Sequence, residues 1–190
     1  MPNFQDYKRV LRIIEQGDSS AFTELHAQYY PRIYEFILFK VASREDAEDL
    51  ASQVFLETWK YLAPPHSKKI DNFQAFVYKV ARRRIADYYQ VKGTRPILVE
   101  LDDPEEYTEV SDVRTDSLQQ LLNEQDQERL IETVQKLPEP YKEIVALRFF
   151  EELEIAEIAE IIGKTLGNTR VLIHRSVKAL QKIYEREGNY

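Results

Sequence analysis

Apolar positions recur at helical spacing along nearly all of the chain, and the strict alternation that a half-buried strand requires is nearly absent. Asp6 to Gln16 is a predicted first helix, stopped by Gly17; Asp18 or Ser19 caps a second that runs toward Val41 with a bend at Pro31. Ser43 and Asp46 stand at capping-box spacing before a third helix, on which Ala47, Leu50, Ala51, Val54, Phe55, Trp59 and Leu62 keep an i, i+3, i+4 rhythm. Two successive prolines end it. The stretch 63–72, APPHSKKIDN, is a predicted loop, and Asn72 caps a fourth helix from Phe73 to about Gln90.

From Val91 the pattern dissolves into VKGTRPILVELDDPEEYTEVSDVRTD, which is acidic, proline-punctuated and aperiodic, the composition of a flexible tether. Periodicity returns in a helix from Ser117 to Leu137, breaks at Leu137-Pro138, and resumes from Pro140 to Phe150. Glu154 to Lys182, EIAEIAEIIGKTLGNTRVLIHRSVKALQK, then reads as a short apolar helix, a Gly163 turn and a second helix. No internal repeat is visible. The expected fold is all-α: two small helical domains, 1–90 and 129–190, joined by a flexible acidic linker over 91–128.

The last helix has two clean faces. At about 100° per residue, one arc collects Asn168, Arg170, His174, Arg175, Lys178, Gln181 and Lys182, and the other collects Thr169, Leu172, Ile173, Val177, Leu180, Ile183 and Tyr184. A major groove admits one helix and its floor is read by Arg, Lys, Asn and Gln, so the pair resembles a helix-turn-helix with its recognition helix second. The alternative is a solvated charged face on a core helix. The absence of any acidic residue from Gly167 to Lys182 and the tight Gly turn favour DNA. On the fourth helix Arg82, Arg83 and Gln90 fall within about 60° of Lys79, opposite Phe73, Val77, Val80, Ala81 and Tyr88. Tyr78 and Tyr89 flank this stripe, an arrangement suited to stacking on unpaired bases and holding phosphates. Alternatively, Arg82 to Arg84 pair with acidic residues of the neighbouring helix, and for Arg84, which projects to the apolar side, that structural reading is preferred.

The net charge of −7 argues against nucleic acid only until its location is considered. Residues 1–90 carry 13 basic and 12 acidic side chains, 91–128 carry 3 and 11, and 129–190 carry 10 and 10. The acidity belongs to the tether. With no cysteine there is no disulfide frame, thiolate metal site or catalytic thiol. His26, His66 and His174 lack metal spacing, and no phosphate-cradling glycine loop or nucleophile turn occurs, so neither a catalytic centre nor a cofactor is expected. Glu45, Asp46, Glu48 and Asp49 form the one carboxylate cluster; in a first turn they favour the macrodipole, and otherwise they offer a docking surface. No apolar run approaches membrane-spanning length and MPNFQDYKRV lacks a signal-peptide core, which places the expected location in the cytoplasm.

Three segments, REDAEDLASQVFLETW (44–59), FQAFVYKVARRRIADYY (73–89) and LPEPYKEIVALRFFEELEIAEIAEIIGKTLGNTRVLIHRSVKAL (137–180), resemble in order the extracytoplasmic-function (group 4, sigma-70-type) RNA polymerase sigma factors. The resemblance implies a promoter-specificity subunit without enzymatic activity, partnered by core RNA polymerase, promoter DNA and, as in most relatives, an anti-sigma factor. It implies polymerase contacts from Asp46, Asp49, Leu50, Gln53 and Phe55. The minus-ten strand would be held by His66, Lys68, Lys69, Asn72, Lys79, Arg82, Arg83 and Tyr89, and the minus-35 groove would be read by Asn168, Arg170, Val171, His174, Arg175 and Lys178. The chain departs from the family's pattern at Phe76, where Trp is frequent, at Arg83, where Asn is usual, and at Ser52-Gln53, where Gln-Glu is common. The rival readings are a stand-alone helix-turn-helix regulator and an all-helical adaptor that binds only proteins.

Overall fold

A computed structural model describes residues 3–41, 43–65, 68–93 and 132–188, and the chain divides into two units, Met1–Thr94 and Arg95–Tyr190. Among the described residues every regular element is helical.

In the first unit the Asn3 side chain accepts a hydrogen bond from the Gln5 amide at 2.9 Å, so α1 (Phe4–Gln16) starts two residues before the predicted Asp6. It ends as expected at Gly17, whose φ of 64° is the left-handed conformation that glycine adopts without penalty. Asp18 caps α2 (Ser19–Leu38), accepting from the Ser20 and Ala21 amides at 2.9 and 3.2 Å. The Ser20 hydroxyl, then Arg12 at 2.6 Å, hold its carboxyl at about 2. Helix α2 continues through Pro31 and stops short of Val41. Ser43 caps α3 (Arg44–Leu62), and the Oδ1 of Asn72 caps α4 (Phe73–Val91) by accepting from the Ala75 amide at 3.1 Å. Helix α2 packs against α1, α3 and α4, so its buried Leu25, Ile33, Phe36 and Ile37 form the centre of a four-helix core with Val10, Val54, Leu62 and Val77. One polar anchor lies inside. Asp6 is buried, accepts from the Tyr29 hydroxyl at 2.5 Å and pairs with Arg9 at 3.1 Å, the partners a buried carboxylate requires.

The second unit begins, among described residues, with a helical turn at 132–135. Pro138 breaks it and starts α5 (Glu139–Val145), which widens into a π-turn at Ala146–Phe150 where an unbroken α-helix to Phe150 was predicted. Arg148 Nη1 donates to the Leu153 carbonyl at 2.7 Å and closes the following bend. The Glu157 carboxylate then accepts from the Glu154 amide at 2.9 Å at the head of α6 (Ile155–Ile162). Gly163, at φ 68°, turns the chain into α7 (Leu166–Gly188). Val134, Leu137, Leu147, Ile158, Ile161, Leu172, Val177 and Leu180 are buried together. The helix predicted from Ser117 lies outside the described residues as far as 131, as does the acidic linker from 94 to 128.

Candidate nucleic-acid interface

Helix α7 starts on Thr165, whose hydroxyl accepts from the Asn168 amide at 3.2 Å. Five of the seven residues of its predicted apolar arc, Thr169, Leu172, Ile173, Val177 and Leu180, are buried, while Ile183 and Tyr184 near its end are half-buried. Ser176 joins them because its hydroxyl donates to the Leu172 carbonyl at 2.7 Å and is thereby satisfied within the helix. On the opposite arc Arg170, Arg175, Lys178 and Lys182 are exposed, while Asn168, Val171, His174 and Gln181 are half-buried. Among the described residues none of those four cations forms an ion pair. Glu151, Glu152, Glu154, Glu157 and Glu160 all precede Gly163, so a unit balanced in charge presents one cationic, donor-rich helix face.

The basic stripe of α4 is differently arranged. Lys79 is exposed and Arg82 half-buried, but Arg83 pairs with Glu57 of α3, which also takes Arg84 Nη2 at 2.6 Å. The structural reading of Arg84 holds, and Arg83 is shared between the surface and the neighbouring helix. Tyr78 is a correction: it is fully buried, edge-on to Phe36 at 5.3 Å, and cannot stack on a base. Tyr89 is half-buried with its hydroxyl donating to the Lys40 carbonyl. In the loop, Lys68 lies over the Tyr61 ring at 5.5 Å and Lys69 over Tyr7 at 5.4 Å, with Asp71 3.7 Å from the Lys69 ammonium. Hydrogen bonding to Tyr7, then its charge and that of Asp71, raises the Lys69 pKa. Asn72 commits its carbonyl oxygen to the α4 cap, and His66 lies outside the described residues.

On α3 the structure corrects two of the five predicted polymerase contacts. Leu50 is 6% and Phe55 3% exposed, because their rhythm is that of the core stripe. Asp49 and Gln53 are exposed, and with Leu56 and Lys60 they follow i, i+4, i+7, i+11 spacing along one outer face. Leu56, 54% exposed, was missed, although its place outside the i, i+3, i+4 rhythm of its apolar neighbours marks it. Asp46 is half-buried and accepts from the Tyr88 hydroxyl at 2.7 Å and Lys92 Nζ at 3.0 Å, contacts that hold its carboxyl below the usual range, with Tyr88 contributing most. This clasp ties the end of α4 to the start of α3.

Among the described residues no cluster of His, Asp or Glu is placed to hold a metal, and no helix is long and apolar enough to cross a membrane. Residues 25–94 match the family model described as Sigma-70 region 2, and residues 127–180 match that described as Sigma-70, region 4. These two regions in this order define a sigma-70-type factor. The chain belongs to the extracytoplasmic-function (ECF) RNA polymerase sigma factors. It is similar to the ECF sigma factor BldN of Streptomyces coelicolor, 29% identical over 94% of this chain and 67% of the relative. It is also similar to SigW of Bacillus subtilis, 25% identical over 92% and 95%, and to the ECF sigma-E factor of Haemophilus influenzae, 29% identical over 88% and 89%. The fold resembles CnrH, solved with the cytosolic domain of CnrY, at TM-score 0.69 and 16% identity over 96% and 98% of the two chains. It likewise resembles RpoE of Bartonella quintana, solved with the anti-sigma factor NepR, at 0.60 and 15% over 86% and 96%.

Proposed function

We propose that this sigma factor divides promoter recognition between its two units, 1–90 and 129–190, joined by the acidic tether 91–128. Asp49, Gln53 and Leu56 on the outer face of α3 dock on the clamp helices of the polymerase, with Asp46 at its edge. Lys68, Lys69, Lys79, Arg82 and Arg83, with His66, Asn72 and Tyr89, hold the melted minus-ten strand. Helix α7 enters the minus-35 groove, where Arg170, His174 and Arg175 meet base edges or phosphates, Val171 touches a thymine methyl, and Asn168 and Lys178 complete the footprint. The observation that carries this reading is the cationic face of α7, where Arg170, Arg175, Lys178 and Lys182 are exposed and, among the described residues, form no ion pair. The protein acts in the cytoplasm, catalyses no reaction itself and is held in check by an anti-sigma factor, as the CnrH and RpoE complexes suggest by similarity.

Physical cost supports a joint mechanism. Unpairing and flipping bases takes a few kcal/mol each, more than a nearly neutral first unit with one partly neutralised stripe supplies alone. The polymerase contributes the rest. Co-purification with core polymerase, followed by transcription from a randomised promoter library, tests the assignment: enrichment of two spaced elements is expected. A palindrome bound without polymerase would instead identify a stand-alone regulator.

A further inference from the structure

On α3, the carboxylate of Glu57 serves two guanidiniums of α4, and the two are not equivalent. Arg84 lies toward the packed side, with Nε buried and Nη2 2.6 Å from Glu57 Oε2. Arg83 has a side chain 57% exposed, against 25% for Glu57, and offers solvent a group with five N–H donors. Removing the counter-ion of a part-buried charge is costly, whereas an exposed pair contributes little. Glu57 is therefore fixed by Arg84, and Arg83 is the partner that another anion can take.

We propose that Glu57 sets how strongly the first unit grips the melted promoter strand, by competing with the strand's phosphates for the Arg83 guanidinium while staying bound to Arg84. This rests on the reading of α4 as the strand-holding face. A phosphate arriving at Arg83 loosens the Glu57 pair and then lies near a carboxylate that Arg84 holds in place. The residual repulsion weakens capture, so the strand is held firmly only when the polymerase presents it. Glu57 is thus a positioning residue that acts through Arg83.

The test uses holoenzyme and a promoter that it selects from a randomised library, prepared as a fork with an unpaired minus-ten strand. Dissociation constants are measured across a series of salt concentrations. Glu57→Gln is expected to tighten binding roughly fivefold at moderate salt, the effect of removing one nearby like charge, and to steepen the logarithmic salt dependence by about 0.7. Adding Arg83→Ala should cancel both changes. Since Glu57→Gln strips Arg84 of its counter-ion, the double variant Glu57→Gln/Arg84→Met, which removes the inner pair together, is measured beside it with a thermal melt of each. Folded variants that bind no tighter and keep the wild-type salt slope would reduce Glu57 to a structural brace and overturn the proposal. Failure of the underlying reading is distinguishable: Lys79→Ala and Arg83→Ala would then each leave fork binding unchanged.

Discussion

His26 lies between two rings, stacked on Tyr30 with centroids 4.9 Å apart and edge-on to Phe55 at 4.6 Å. Burial lowers its pKa from the ordinary 6.5. The unfolded chain then binds the proton more readily than the folded one, so stability is full above about 6.5 and declines as pH falls through that value toward the lower folded pKa. Melting temperature should drop more in wild type than in His26→Phe, which keeps the aromatic contacts, between about pH 7.5 and about pH 5.5. Equal drops would place the proton-linked instability elsewhere. A second residue-scale expectation concerns Asp49, exposed on α3 beside Gln53. Charge reversal by Asp49→Arg should abolish co-purification with core polymerase, a loss of several kcal/mol as expected where a charge meets its complement, while the helical circular dichroism stays unchanged. Retained co-purification would remove this face from the interface.

At the scale of elements, what could be read in advance was whatever local chemistry decides. Gly17, Asn72 and Gly163 ended or began helices where their side chains, or the lack of one, dictated, and the two arcs of α7 separated as its periodicity required. The errors share a cause. A helical wheel gives a direction but not the neighbour met in that direction: Tyr78 points into α2, Leu50 and Phe55 into the core, and Leu56 meets solvent, whereas the pairing of Arg83 with Glu57 is the alternative left open by the acidic residues of the neighbouring helix. The π-turn at Ala146–Phe150 has no compositional mark, because an i to i+5 bond uses the same residues as a regular helix. Along α7 a gradient of function follows from geometry. Arg170 and Lys178 are eight residues apart on one face, about 12 Å along the axis, so on the proposed reading the end nearer the turn would enter the groove and the other would leave it. Arg170→Ala should cost about 1–3 kcal/mol and relax preference at one or two base pairs, whereas Lys178→Ala should weaken all sequences alike and lower the salt slope by about one. Holoenzyme binding to a library varied at each minus-35 base, at two salt concentrations, separates these outcomes. An unchanged base preference in Arg170→Ala would reverse the assignment of the reading end.

For the whole molecule, charge is segregated in sequence. All the excess negative charge lies in 91–128, with 3 basic and 11 acidic side chains, between segments near neutrality. A protein with a balanced first unit, one cationic recognition helix and an anionic connection has little long-range attraction for a duplex. Each unit alone would make few phosphate contacts, and the second contact gains from the first only when the span between them matches the span on DNA. If residues 91–128 behave as the flexible tether their composition predicts, 38 residues would have a root-mean-square length of roughly 31–37 Å, while promoter elements two to three helical turns apart are separated by about 70–100 Å. The free protein is therefore expected to bind promoter DNA weakly, and full affinity should emerge only in the holoenzyme, where the polymerase fixes the separation of the two units. Gel shifts with purified protein, with and without core polymerase, test this at physiological salt. Tight, sequence-specific binding by the free protein would show that geometry is already set without the polymerase, and would favour the stand-alone regulator over a divided promoter reader.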